Sequence, residues 1–185
     1  VNTRAVISTL ILNTTNISSN NTDVNLTAYA TVSDADNDSI KVIYNWLRDN
    51  TPIAVLNMPF ERINNTPYNN TWDYSGFQND GSDSGATWNS TGGYDSKGAY
   101  TFKNVNGERI IVPDSSSFGL TNSFSISFWI RPNTTTGTHR ILSKRDSGGT
   151  QFDMYQLNAG LQMYNGSIDA QLDTTVFFAN NWSHI

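Results

Sequence analysis

The chain has 185 residues, 37% hydrophobic and 12% aromatic, enough to bury a core and too apolar for a disordered polar tract. A formal charge of −5 with 11 basic residues excludes the basic face that nucleic-acid binding requires. With no cysteine, disulfides, thiolate zinc sites and thiol nucleophiles are excluded together.

The chain order of hydrophobic and turn residues predicts strands throughout. Ala5 to Leu12 is an apolar-rich run, and Asn25 to Val32 alternates, with Leu26, Ala28, Ala30 and Val32 on one face. The polar cluster Ser33 to Ser39 predicts a turn, and Lys41 to Leu47 predicts a third strand. Another turn is expected at Arg48 to Pro52, then a strand over Ile53 to Phe60 and a loop over Asn64 to Thr71. Short strands follow at 86–88, 97–103, 108–112, 123–131, 139–144, 151–157, 161–164 and 168–172. That spacing suggests a sandwich. The one helical feature expected is a brief turn at Ser115 to Phe118. No apolar run is long enough to span a bilayer, so no membrane insertion is expected in this segment. The start at Val1 rather than Met reads as a mature or cut form.

Eleven Asn-X-Ser/Thr sequons begin at Asn13, Asn16, Asn20, Asn25, Asn37, Asn64, Asn69, Asn89, Asn133, Asn165 and Asn181. Ser and Thr would place a sequon at roughly one asparagine in five by chance, whereas the chain has one at nearly every second asparagine. The density predicts an N-glycosylated exterior, with sugars supplying the hydration that sparse charges do not, set against simple enrichment in Asn, Ser and Thr.

Enzyme chemistry finds little support, and no catalytic residue is assigned. Glycoside hydrolysis needs two carboxylates facing each other across the scissile bond. The glutamates are Glu61 and Glu108, far apart and each without an acid two residues on. His139 and His184 are the histidines, and neither lies in a nucleophile or metal-ligand motif. Calcium is the more plausible ligand, because it takes oxygen donors from Asp, Asn and backbone carbonyls. Two clusters offer them: Asp73, Asn79 and Asp80, or alternatively Asp34, Asp36 and Asp38. Against both stands the reading that these side chains cap turns by bonding the backbone. Trp72, Tyr74, Trp88 and Tyr94 are aromatic by type and could form a sugar platform, but core packing accounts equally for such rings, and the sugar-binding residues stay unassigned.

Two resemblances organise these readings. Thr31-Val32-Ser33-Asp34-Ala35-Asp36-Asn37-Asp38 followed by Tyr44-Asn45-Trp46 resembles the first half of an immunoglobulin-like or PKD-like module. A full sandwich of that kind needs about seven strands and about 100 residues, so residues 1–51 are expected to form only part of one. Asp73-Tyr74-Ser75-Gly76-Phe77-Gln78-Asn79-Asp80-Gly81, Gly98 to Phe102, Ile110 to Pro113, Phe124 to Ile130, Arg140 to Lys144 and Asn181 to Ile185 resemble, as an ordered set, a laminin-G-like domain of the concanavalin A-like jelly-roll class over residues 52–185. In that family further strands follow the segment that Asn181 to Ile185 matches, so the jelly roll is expected to be incomplete at its C-terminal end. The resemblance also implies that the loop with Asp73 and Asn79 can hold Ca²⁺. The expected fold is therefore all-β, a partial immunoglobulin-like sandwich followed by a jelly roll. The expected function is an extracellular structural or adhesive module of a cell-surface protein, of archaeal or bacterial type. Such a module could be a filament or surface-layer subunit that self-associates, or joins a neighbouring surface protein, by strand exchange. The alternative is a calcium-dependent carbohydrate-binding module of a larger secreted enzyme, with glycans as partners.

Overall fold

A computed structural model describes residues 2–15, 23–61, 70–103, 107–119, 123–146, 149–165 and 169–185. Its elements in chain order are β1 (Val6–Thr14), β2 (Leu26–Ser33), β3 (Leu47–Arg48), β4 (Thr51–Pro52), β5 (Asn70–Thr71), β6 (Gly81–Ser84), β7 (Thr87–Asn89) and β8 (Ala99–Thr101). There follow β9 (Arg109–Ile111), a 3-10 turn at Ser116–Phe118, β10 (Trp129–Ile130), β11 (Thr138–Asp146), β12 (Gly149–Leu157), β13 (Gly160–Tyr164), β14 (Asp169–Asp173) and β15 (Ser183–His184). The fold is all-β, and every ladder among the described residues is antiparallel.

The chain forms two compact units, residues 1–86 with 102–117 and residues 87–101 with 118–185. The domain boundary expected between residues 51 and 52 falls inside the first unit. In that unit β1 and β2 make a two-stranded ribbon, β3 and β4 a tight hairpin, and β5, β6 and β9 a three-stranded sheet. The alternation expected for the second strand is present: Ala28, Ala30 and Val32 are less exposed than Tyr29, Thr31 and Ser33.

Two expected strands do not form. Residues 41–46 join no ladder, and neither do residues 53–60. The Ile53 N–H donates to the Trp46 carbonyl and the Tyr74 N–H to the Asn57 carbonyl, and several other backbone groups are met by side chains, which serves the same hydrogen-bonding need as a neighbouring strand. The Asn57 side-chain amide donates to the Tyr44 carbonyl at 2.8 Å and that of Asn79 to the Val55 carbonyl at 2.8 Å. The Asn57 N–H donates to Asp73 at 2.8 Å, and the Lys41 ammonium donates to the Pro59 carbonyl at 2.7 Å.

The second unit is built on the four-stranded sheet β11-β12-β13-β14. Met154, Leu161 and Phe177 form its buried core, and Ile126, Phe128, Ile130, Ile141, Val176 and Ile185 pack against them. The expected long strand over 123–131 is realised as a ladder only at β10, which pairs with β15. Phe128 and Ile185 extend that pairing through two backbone bonds of 3.1 and 3.0 Å. Ile126, Phe128 and Ile130 face the core as alternation requires, while Phe124 stays partly exposed against Phe152, ring centroids 5.6 Å apart.

Candidate functional site

The turn over Asp73 to Gly81 is organised by one carboxylate. Asp73 Oδ1 accepts the N–H of Asn57 and of Ser75, each at 2.8 Å, and Oδ2 accepts the Ser75 hydroxyl and, at 3.1 Å, the Asn79 N–H. Four bonds fill the lone-pair sites of a carboxylate. Burial pushes the Asp73 carboxyl up, but the bonds from Ser75, Asn57 and Asn79 outweigh it and hold it below its ordinary value. Asp80 in turn accepts the Asp73 N–H at 2.9 Å. Asn79 is buried and spends both donors of its amide, on the Val55 carbonyl and the Ser117 hydroxyl, each at 2.8 Å. These bonds bring Asp73, Asn79 and Asp80 together in one turn, with Asp73 engaged in ordering it. Glu61 joins this neighbourhood: burial raises its carboxyl above the ordinary range, against the opposing pull of Tyr74 and Lys41. Burial and the Glu61 charge push the Tyr74 hydroxyl up to about 12.

Asp34, Asp36 and Asp38 also converge, offering one carboxylate oxygen each within 4.8 Å of one another. Asp34 Oδ1 accepts the N–H of Asp36 at 2.9 Å and of Asp38 at 3.3 Å, which folds the turn. Asp36 Oδ2 accepts both the N–H and hydroxyl of Thr3, and these bonds hold its carboxyl below the ordinary value. Asp38 Oδ2 accepts from the Asn2 amide at 3.2 Å. Each carboxylate keeps a second oxygen, so three negative groups on one short turn fit part of a Ca²⁺ shell, which needs six to eight oxygens.

Among the aromatic residues, Trp72 and Tyr74 tilt against each other at 6.4 Å, and Trp88 is half-buried. Tyr94 is exposed and stacks on Trp129, with centroids 3.7 Å apart and planes within 7°. The loop carrying Tyr94 closes on itself through Gly92 N–H to the Asn89 carbonyl and Gly98 N–H to the Gly92 carbonyl, 3.1 and 3.0 Å. Gly93 has φ +88°, and an added Cβ would meet the Gly98 carbonyl oxygen at 2.7 Å, so glycine is required there.

The sequon asparagines Asn13, Asn25, Asn37, Asn89, Asn133, Asn165 and Asn181 are all exposed; Asn16, Asn20, Asn64 and Asn69 lie outside the described residues. By contrast Asn79, which is not in a sequon, is buried.

A polar group not anticipated from the sequence occupies the side of the four-stranded sheet away from its core. Asp153 is buried there beneath Arg140 and Arg145, with Tyr155 and Gln162 beside it. The signal was the alternation in Asp153-Met154-Tyr155 and Leu161-Gln162-Met163, which puts Asp153, Tyr155 and Gln162 on one face.

Residues 104–185 match the Laminin_G_3 family model, described as the Concanavalin A-like lectin/glucanases superfamily. The match begins at residue 104, ahead of β9, and takes in the four-stranded sheet, so that part of the chain is similar to the superfamily. No curated protein and no solved structure matches the chain.

Proposed function

We propose that this chain is a structural or adhesive module of an extracellular, N-glycosylated surface protein, and that it self-associates through the β1–β2 ribbon. One observation carries the assembly reading. The register pairs Ile7 with Val32, Leu10 with Ala30, Leu12 with Ala28 and Thr14 with Leu26, which sets these side chains on one face. The large side chains of that face are open to water, with Ile7 63% and Leu10 65% exposed, while Ala28, Ala30 and Val32 are half-buried. A two-stranded ribbon is marginally stable alone in water and gains stability when its apolar face or open edges are covered. Strand addition by a second copy would satisfy both, with ladder bonds giving strength. The exposed sequons support the exterior location, and the match to a lectin and glucanase superfamily favours binding or building over an intracellular role.

The test is the mass of the purified chain by analytical ultracentrifugation, with Leu10→Asp/Leu12→Asp as the variant. The native chain is expected to associate at micromolar concentration and the variant to sediment as a monomer. A monomeric native chain, or a variant that associates equally well, would count against the reading.

A second reading, a calcium-dependent carbohydrate-binding module of a larger secreted enzyme, is favoured by the convergence of Asp34, Asp36 and Asp38. Loss of glycan binding on chelation would support it over the first.

A further inference from the structure

The four-stranded sheet of the second unit ends in two unlike edges. Among the described residues, β11 and β14 each join a ladder on one side only. The inner strands bury Phe152, Met154 and Leu161, whereas Arg140, Leu142, Ser143 and Arg145 on β11 and residues 170–173 on β14 are exposed. An outer strand is a template for a further strand, because its outer row of N–H and C=O groups has no ladder partner. The charges of the two edges are opposite. β11 carries Arg140, Lys144 and Arg145 against Asp146, while β14, Asp-Ala-Gln-Leu-Asp, carries Asp169 and Asp173 and no base. Asp153 on β12 accepts from both Arg140 and Arg145, at 2.9 and 3.0 Å, so one carboxylate meets two guanidiniums and the β11 edge stays positive.

We propose that β14 of one copy adds to β11 of the next, so that the sheet continues from chain to chain. The topology fixes the direction. Each strand is antiparallel to its neighbour, so β11 and β14 run oppositely, and a copy set alongside in the same orientation presents β14 antiparallel to β11. The same arrangement keeps like faces together. Ser143 lies across from Asp153 and Gln171 across from Gln162, and Asp153 and Gln162 share the face away from the core. A register that sets Ser143 opposite Gln171 therefore matches faces, and it also sets Leu142 opposite Leu172 and Arg145 opposite Asp169. That register engages all five residues of β14 and joins two leucines that are 37% and 52% exposed. Charge selects this contact over the two-fold alternatives. β11 on β11 opposes bases to bases and β14 on β14 opposes acids to acids, and like charges across a ladder are destabilising. A contact between unlike edges leaves one edge of each kind open at the two ends, so it grows as an open chain and does not close at a dimer. The sheet edges are a different surface from the ribbon, so this contact stands or falls without it.

The chain has no cysteine, so introduced thiols report the contact without background. The full chain is prepared as Ser143→Cys, as Gln171→Cys and as the double variant, oxidised with diamide and run on non-reducing gels. Within one chain the two positions lie on opposite edges, three strand spacings or about 14 Å apart, too far for an internal disulfide. A mixture of the two single variants is expected to give cross-linked dimer roughly tenfold above either variant alone. The double variant is expected to give a ladder of multimers. Asp169→Lys, added to the Gln171→Cys chain, is expected to lower the yield of mixed dimer about fivefold. Leu10→Asp/Leu12→Asp is expected to leave that yield unchanged, which separates a failure of the ribbon from a failure of the sheet edge. The proposal is overturned by mixed dimer no more abundant than the homodimers, by a double variant that stops at dimers, or by an Asp169→Lys chain that cross-links equally well.

Discussion

Asp73 shows how much one side chain can organise. Its four accepted bonds tie together residues 57, 73, 75 and 79, and a neutral replacement cannot reproduce them. In Asp73→Asn an NH₂ group would face the donors of Ser75 and Asn79, and a loss of about 2 kcal/mol is expected in urea denaturation at neutral pH. The pH dependence has a definite sign. The folded carboxyl lies below its ordinary value of 3.8, so its stabilisation is complete above that value and is lost as pH falls through the folded one. The variant's stability is expected to lack this acid-side decline; an identical decline in both chains would show that Asp73 is not its source. That an Asp and an Asn six residues apart meet in one turn was readable from the polar, Gly-punctuated segment. That Asp73 spends its oxygens on N–H and O–H groups was not, because Asn57 lies sixteen residues upstream and reaches it only through the folded path of 53–61.

At the scale of elements, alternation identified the strands wherever a ladder partner lies close in sequence. β1 and β2 and the meander β11 to β14 sit near their expected positions because hairpin pairing reinforces local pattern. The pattern misled at 41–46 and 53–60, where side-chain amides and an ammonium from distant residues satisfy backbone groups that a strand would otherwise supply. It also overextended the strand before Arg131, since only its end has a partner, in β15. Within the second unit the strands meet at one core, and Phe177 is its most buried side chain at 1% exposure. Phe177→Ala is expected to cost about 3–5 kcal/mol by leaving a cavity against Met154 and Leu161. Chemical denaturation measures it, and a loss under 1 kcal/mol would mean that this cluster does not carry the unit's stability.

For the whole molecule, the exterior is the question. Few charges leave a surface that depends on hydroxyls and amides for hydration, and sugars on the exposed sequon asparagines would add to it. Protein isolated from its native cells is expected to exceed the bare mass of 20.5 kDa and to return toward it on deglycosylation. An intact mass equal to the bare chain would remove the glycoprotein reading while leaving the ribbon untouched.

Composition and period-two patterning determined by themselves that this protein is all-β, Cys-free and punctuated by turns, because those properties follow from neighbours along the chain. Tertiary structure alone decided which polar groups meet. Arg140 and Arg145 reach Asp153 through the pairing of β11 with β12, whose register shifts twice between Arg140 and Arg145. The sequence pattern assigns a side chain to a face. Only the closed ladder sets its partner across the strand, and with it whether a charge is compensated or presented to solvent.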